Sequence, residues 1–459
     1  MPGDLEPGRE ERADLAAEVL ALLQDWFDEA DTMPASGDDL DEALAADLMT
    51  PPSEQGRPLD ELLSEITAAG HSGVFHPSGG HLSYIPNGGL YTAALAEFLA
   101  AGLNRYTGVS HAAPGMTAIE HGVVRWMTSL FEMGLSASGL LLSGGSMANF
   151  TGIVAARTAR LGDEFAKGVI YVTRHTHHSV EKAARLAGFR KDQVRTVEID
   201  SELRMDPEAL SRSIAEDRSA GLEPFLVVGS GGTTDTGTVD PLDSLARIAS
   251  DERLWLHVDA AYGGFFQLTE RGREVMSGIE RADSISIDPH KGLSIPFGVG
   301  ALLVRVEGHL IDANQGRGAY LDGEDHYSGI RDIAALGPEL SRPFRALQIW
   351  LPLQLHGIAP FREALETSLD LAGYAYDRLS EIDGLETPWR PDLSIVAFRF
   401  HDEATGTRAM EAVNREHVVH LSPTTIDERF VLRFAILNRR TTREHLDHAI
   451  DIIEKTLVG

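Results

Sequence analysis

Residues 255–264 read WLHVDAAYGG, a short apolar run that ends in an aspartate and small residues. Such a run predicts a buried β-strand with Asp259 at its carboxyl end. A carboxylate there is costly unless it meets a cation or a proton donor. One suitable partner is the protonated nitrogen of a flat heteroaromatic ring, for which the small Ala261 leaves room. A helix N-cap or a structural ion pair explains the same aspartate equally well.

The sequence on both sides of this run, from about residue 139 to residue 305, alternates short apolar runs with stretches of helix length. The apolar runs predict seven strands, at residues 140–142, 168–172, 194–199, 225–228, 255–258, 284–287 and 300–304. Strands joined by helix-length connections predict an α/β fold with a mostly parallel sheet covered on both faces. Functional residues are therefore expected outside the carboxyl ends of the strands.

The rest of the chain predicts helices before the sheet and a smaller α/β unit after it. Near the N-terminus five apolar residues recur at helical spacing: Leu15, Val19, Leu22, Leu23 and Trp26. A second helix is predicted near residues 59–69. These helices are too few to fold alone, so we expect them to pack on another surface. The predicted units are an N-terminal helical segment at 1–88, a large domain at 89–355 and a small C-terminal α/β domain at 356–459.

The composition excludes several classes of protein. Asp and Glu total 70 against 40 Lys and Arg, and the formal charge of -30 disfavours nucleic acid and anionic membranes as partners. The chain has no cysteine, which excludes disulfides, iron–sulfur clusters and thiol nucleophiles. Neither a signal peptide nor a membrane span is recognisable, so a cytoplasmic protein is expected.

Three further segments follow predicted strands and carry polar residues. Residues 143–149, SGGSMAN, form a candidate phosphate cradle at the start of a helix, although an ordinary glycine-rich turn is the alternative. Residues 284–292, SISIDPHKG, place Lys291 at a strand end, where a partly desolvated lysine can form a Schiff base; a solvated surface lysine is the alternative. The histidines of residues 175–178 point in different directions, which favours ring stacking or helix entry over a metal site.

The cradle, the acid and the lysine match the phosphate, the ring nitrogen and the aldehyde of pyridoxal 5'-phosphate. From about His76 to Thr442 the sequence resembles the group II pyridoxal-phosphate-dependent amino-acid decarboxylases, the family of the aromatic-L-amino-acid and glutamate decarboxylases. The motifs HVDAAYGG and DPHK carry this resemblance. Further support comes from APGMTAIE, SGGSMAN, HHSVEKAA, GGTT and NRRTT.

The resemblance implies a fold-type-I homodimer whose N-terminal helices wrap the partner. It implies that Lys291 forms the Schiff base, Asp259 pairs with the ring nitrogen and His177 stacks on the ring. The other implied contacts are to the phosphate (Gly145, Ser146, His290), beneath the ring (Ala261), to the cofactor or Asp259 (Thr234) and to the substrate (Tyr84). No metal is implied.

Two departures from the family concern the substrate side. Gly292 follows the lysine where the family commonly has an aromatic residue, which predicts a missing wall of the pocket. The mobile loop of the family does not align without gaps; we assign its catalytic tyrosine to Tyr327, with Tyr320 as the alternative. Arg433 could reach a substrate carboxylate or form a structural salt bridge.

The implied reaction is decarboxylation of an L-amino acid to an amine, through the Lys291 Schiff base and a quinonoid. The same scaffold can also produce an aldehyde by decarboxylative deamination, or cleave a Cα–Cβ bond as a lyase. A non-catalytic interaction protein with the same fold is a more distant alternative. The motifs around the cofactor do not separate these outcomes.

Overall fold

The computed structural model of the protein describes residues 5–314 and 330–458. Its helices are α1 Arg9–Glu29, α2 Glu42–Leu48, α3 Leu59–Gly70, α4 Tyr91–Leu103, α5 Pro114–Leu130, α6 Gly145–Leu161, α7 His178–Leu186, α8 Pro207–Ser219, α9 Leu242–Asp251, α10 Glu270–Val275, α11 Pro289–Gly292, α12 Glu307–Ala313, α13 Ala346–His356, α14 Ala359–Ser380, α15 Glu403–Arg415 and α16 Arg443–Val458. Its strands are β1 Ser138–Leu142, β2 Gly168–Thr173, β3 Val194–Val197, β4 Glu223–Ser230, β5 Trp255–Asp259, β6 Ser284–Ile287, β7 Gly300–Val304, β8 Leu385–Glu386, β9 Ile395–Phe400, β10 Pro423–Ile426 and β11 Arg429–Ala435.

Strands β1 to β7 form one sheet in the order β1-β7-β6-β5-β4-β2-β3. All neighbours are parallel except β7, which runs antiparallel to both β1 and β6. The connection from β6 to β7 contains only the four-residue helix α11, too short for a crossover between parallel strands. The predicted mostly parallel sheet, with all seven predicted strands, is confirmed.

Alternate residues of the strands point to the two faces of the sheet, and helices cover both. In β4, Val227 faces the core formed with α8 and α9, which contribute Leu210 and Leu245. Its neighbour Leu226 faces the core formed with α6 and α7. This arrangement explains why the strands read as continuous apolar runs rather than alternating ones.

Strands β8 to β11 form a second, antiparallel sheet in the order β10-β11-β9-β8. Helices α14, α15 and α16 pack on it through apolar residues such as Leu371, Ala409 and Ile450. The apolar runs at residues 394–400 and 430–436 predict two strands in this unit, and these correspond to β9 and β11, whereas the shorter β8 and β10 were not predicted. The division of the chain at residues 88 and 355 stays a prediction.

The N-terminal helices α1 and α3 are present where helical spacing predicts them, and α2 was not predicted. Helix α1 has no fully buried residue. Among the described residues, no helix is both long and apolar enough to cross a membrane.

Candidate active site

The segments that follow β1, β2, β4, β5 and β6 meet at one cavity at the carboxyl ends of the parallel strands. Its described lining consists of Ser143, Gly144, Gly145, Ser146, Met147, Asn149, His177, Ser179, Ser230, Gly232, Thr233, Thr234, Asp259, Ala261, Tyr262, Asp288, His290 and Lys291. The structure therefore brings together every residue predicted to bind the cofactor.

Lys291 lies on the short helix α11, and its ammonium is paired with a buried carboxylate. Lys291 Nζ is 2.9 Å from Asp288 Oδ2, and the Asp288 side chain is 3% exposed. His290 donates from Nδ1 to the carbonyl of Val299 at 2.7 Å, so its Nε2 is available to the cavity. The other oxygen of Asp288, Oδ1, is buried and accepts no hydrogen bond from the described residues.

Asp259 is the last residue of β5, and both oxygens of its carboxylate accept hydrogen bonds from the protein. Oδ2 accepts a hydrogen bond from Asn149 Nδ2 at 2.8 Å. Oδ1 accepts from Ser286 Oγ and from the backbone N–H of Ala261, both at 3.2 Å. Three donors hold the carboxylate in one orientation, with its outer face toward the cavity.

His177 precedes helix α7 and caps it. Its Nδ1 accepts from the backbone N–H of Ser179 at 3.3 Å and lies 2.7 Å from Ser179 Oγ. Burial lowers the pKa of His177, and the nearby charge of Asp259 offsets only part of this effect. A neutral imidazole therefore faces the cavity with its proton on Nε2.

The anion-binding end of the cavity is the start of α6. The first N–H groups of a helix have no partners within the helix, and the helix dipole favours an anion there. Strand β7 packs tightly against this turn, since a Cβ on Gly300 would lie 2.5 Å from Gly144 Cα. Only glycine at position 300 allows this close approach.

Gly292 does not leave the gap that the sequence predicts. A Cβ at position 292 would lie 2.6 Å from Phe265 Cβ, so the side chain would enter the core rather than the cavity. Phe265 is 1% exposed and stacks on Trp126 with ring centroids 6.2 Å apart. The missing pocket wall predicted at Gly292 is therefore not observed, because glycine at this position makes room for Phe265 in the core.

Tyr84 and Arg433 lie beside the described cavity lining rather than in it. Arg433 donates to the carbonyls of Thr234 and Tyr84 and to Ser422 Oγ. Arg433 thus links the second sheet to the loop after β4, through hydrogen bonds to two carbonyl oxygens and one hydroxyl. The Tyr84 side chain is exposed, and its contact with a substrate stays a prediction.

Three buried polar residues of the site received no role from the sequence: Asn149, Asp288 and His257. Asn149 and Asp288 line the cavity, and His257 is 0% exposed within β5. All three lie in the motifs quoted above. A histidine inside an apolar strand was the signal that could have identified His257, because buried polar groups require partners.

The catalytic tyrosine of the loop and the absence of a metal are the two remaining predictions. Tyr327 and Tyr320 lie outside the described residues. Within the described ranges, no group of three or more His, Asp or Glu side chains is arranged to hold a metal ion.

The chemistry of the cavity suits pyridoxal 5'-phosphate. The N–H groups at the start of α6 suit a phosphate, beside which His290 lies, and Lys291 offers an amine for an aldehyde. The outer face of Asp259 suits a protonated ring nitrogen, and a flat ring can lie between His177 and the small Ala261. These residues fit the cofactor that the sequence resemblance implies.

Comparison with known proteins agrees with this assignment. Residues 44–401 match the family described as the pyridoxal-dependent decarboxylase conserved domain. Aromatic-L-amino-acid decarboxylase from Bacillus atrophaeus is 34% identical over 457 residues, which cover 97% of this chain and 95% of that protein. 4-hydroxyphenylacetaldehyde synthase from Rhodiola rosea is 28% identical over 422 residues, covering 87% of this chain and 86% of that protein.

The crystal structure of Oryza sativa TDC with PLP and tryptamine has a TM-score of 0.93 and 24% identity, covering 99% of both chains. The fold is that of the fold-type-I enzymes that use pyridoxal 5'-phosphate. The chain belongs to the pyridoxal-dependent decarboxylase family. It is accordingly a pyridoxal-phosphate-dependent amino-acid decarboxylase, a carboxy-lyase.

Proposed function

We propose that this enzyme decarboxylates an aromatic L-amino acid to the corresponding amine, with Lys291 as the residue that binds the cofactor covalently. The observation that carries the proposal is the single cavity that joins Lys291, Asp259 and the start of α6 in a member of this family. The aromatic substrate class is supported by the Bacillus atrophaeus relative, which is 34% identical over nearly its whole length.

Each residue has one physical task in this proposal. Bound pyridoxal phosphate supplies a conjugated ring that accepts the electrons of the Cα–carboxylate bond. Asp259 holds a proton on the ring nitrogen, because its carboxylate is an acceptor fixed by three donors. His177 would pack on the ring face, and Lys291 would hold the cofactor through its aldehyde. Tyr327 donates a proton to Cα.

Aromatic and imidazole rings beside the site support a flat substrate side chain. Phe297 is 5.6 Å from the His290 ring and 5.3 Å from the His76 ring, measured between centroids. His76 also stacks on Tyr84 at 6.4 Å with an interplanar angle of 15°. Burial lowers the pKa of His76, which favours a neutral surface suited to an uncharged aromatic ring.

We further propose that the enzyme works as a cytoplasmic homodimer. Helices α1, α3 and α4 carry exposed apolar side chains, among them Val19, Ile66 and Phe98. Such a surface is typical of an interface between subunits. Fractionation of the producing cells tests the location, and sedimentation tests the assembly.

Borohydride reduction tests the role of Lys291. Reduction of the holoenzyme followed by peptide mapping should place the pyridoxyl group on the peptide that contains Lys291. In Lys291→Ala the label should disappear, whereas Lys182→Ala, which changes a lysine on α7 outside the described cavity lining, should keep it. A label on any other lysine contradicts the assignment.

The product distinguishes the amine from the aldehyde outcome. The relative from Rhodiola rosea is named as an aldehyde synthase, so the assay must measure carbon dioxide, amine, aldehyde and ammonia together. We expect carbon dioxide and amine in equal amounts from an aromatic amino acid. Aldehyde and ammonia in place of amine would establish the second outcome.

A further inference from the structure

A fully buried histidine lies directly behind the cavity wall, on the strand that carries Asp259. His257 is 0% exposed and is not part of the described cavity lining. Its Nε2 is 3.0 Å from Asn149 Oδ1, and its Nδ1 is 2.7 Å from Ser284 Oγ. Gly152 of α6 makes room for the imidazole, because a Cβ there would lie 3.0 Å from His257 Cε1.

The orientation of the Asn149 amide follows from its neighbours. Its Nδ2 is 2.8 Å from Asp259 Oδ2 and 3.0 Å from Ser179 Oγ. A carboxylate can only accept, so Nδ2 must face Asp259, and Oδ1 must face His257. The reversed amide would place two acceptors against each other.

The tautomer of His257 then follows. Burial lowers the pKa of His257 to about 4, so the imidazole is neutral near pH 7 and carries one proton. Because Asn149 Oδ1 is an acceptor, this proton lies on Nε2, and Nδ1 accepts from Ser284. Trp255 Nε1 donates to the same Ser284 Oγ at 2.8 Å, which orients the hydroxyl.

The same chain of hydrogen bonds reaches the other side of the ring site. Ser179 Oγ accepts from Asn149 and lies 2.7 Å from His177 Nδ1, which already accepts from the Ser179 backbone N–H. The Ser179 hydroxyl therefore donates to His177, whose proton is left on Nε2. All hydrogen bonds of this chain thus donate in one direction, from Trp255 through Ser284, His257 and Asn149 to Asp259. A branch at Asn149 continues through Ser179 to His177.

We propose that His257 is a positioning residue, which fixes the Asn149 amide through Nε2 and so holds both Asp259 and His177 in their hydrogen-bonded states. The inference rests on the proposed role of Asp259. His257 acts only through Asn149 and touches neither the cavity nor a ligand. Loss of its Nε2–H would leave the buried Asn149 Oδ1 without this donor and would loosen the amide that donates to Asp259 and Ser179.

Variants at position 257 test the inference through cofactor affinity, measured by equilibrium dialysis. His257→Gln keeps a donor for Asn149 and an acceptor for Ser284, and we expect affinity within about threefold of the wild type. His257→Leu removes both and leaves Asn149 Oδ1 buried without this donor, and we expect a loss of roughly tenfold or more, because an unpaired buried acceptor is costly. Val258→Ala, a cavity-forming change of the next residue in the core, should lower stability without changing affinity. Equal affinity for all four proteins would overturn the inference.

Neutron diffraction of the deuterated holoenzyme gives a second readout. It uses the wild-type protein, so the result does not depend on whether a variant folds. We expect deuterium on Nε2 of both His257 and His177, and Nδ2 of Asn149 facing Asp259. Deuterium on Nδ1 of His257 would refute the positioning role. Failure of the Lys291 labelling experiment would instead remove the proposed function and leave the hydrogen positions unaffected.

Discussion

At the scale of single residues, the cavity separates two explanations of Asp259. The Ala261 N–H contact resembles a local turn cap, whereas the outer face of the carboxylate points to a ligand. Asp259→Asn keeps an acceptor for the turn but cannot hold a proton on a ring nitrogen. We expect turnover to fall by roughly 10²-fold or more, whereas a carboxylate that only capped the turn would cost mainly about 1 kcal/mol of unfolding free energy when replaced.

Steady-state kinetics and urea unfolding measure these two effects. Asp251→Asn, at the exposed end of α9, is the matched control and should change neither. Near-normal turnover of Asp259→Asn would show that the carboxylate is structural.

The buried imidazole of His257 also predicts a pH dependence of stability. An unfolded histidine takes up a proton near pH 6.5, whereas burial lowers the pKa of His257 to about 4. Between these values the unfolded state binds more protons, so His257 costs stability as the pH falls through that window, by roughly 3 kcal/mol in total.

His257→Gln removes this titration and isolates it from the opposite effect of Asp240, whose pKa burial raises to about 6. Urea unfolding at several values of pH should show the wild type losing stability relative to His257→Gln between pH 6.5 and 4. Val258→Ala, which changes a core residue without a titratable group, serves as the control, and its difference from the wild type should stay constant with pH. A constant difference for His257→Gln would contradict the buried neutral state.

At the scale of elements, the short helix α11 depends on glycine at position 292. A Cβ there would lie 2.6 Å from Phe265 Cβ, and both the helix and Phe265 are held in the core. We expect Gly292→Ala to lower the free energy of unfolding by about 1–3 kcal/mol through overpacking. Gly373→Ala in α14, where a Cβ meets nothing within 4 Å, should instead raise it by about 1 kcal/mol. Urea unfolding measures both; a neutral Gly292→Ala would refute the packing role.

The edge of the main sheet shows how far prediction from sequence extends. The apolar run identified β1, because a buried strand requires apolar residues. It did not indicate which groups bond to the backbone N–H and C=O groups at the free edge of β1. Glu120 accepts from the Leu141 N–H at 3.4 Å, and Arg342 donates to the Leu141 carbonyl at 2.7 Å. The two side chains also pair with each other at 2.6 Å, although 222 positions separate them. A contact between such distant residues leaves no local pattern, so the sequence indicated Glu120 only as part of a family motif.

The same reasoning applies to strands and site residues. Short strands such as β8, with two residues, carry too little pattern to be recognised. The reversed direction of β7 depends on the length of its connection rather than on its own composition. Asp259 could be singled out because it ends an apolar run, and Lys291 because it lies in the polar segment that follows one. The tautomers of His177 and His257 required the positions of their neighbours.

At the scale of the whole molecule, the N-terminal segment has two parts with different surroundings. Helix α1 buries no residue completely, whereas the following residues are built into the core. Ala30 and Ala35 are 1% and 0% exposed, and Asp31 pairs with Arg440 at 2.8 Å. A deletion that tests the role of α1 must therefore end before residue 30.

Deletion of residues 1–28 should weaken the proposed dimer without unfolding the subunit, because the lost helix contains no fully buried residue. Sedimentation velocity at micromolar concentration should show the full-length protein near twice 49.8 kDa and the shortened protein shifted toward the monomer. Val19→Asp places a charge on the exposed face of α1 and should act in the same direction. Leu186→Asp changes a side chain that is equally apolar and 66% exposed but lies at the end of α7, so it should leave the mass unchanged. An unchanged dimer after the deletion would show that the interface does not depend on α1.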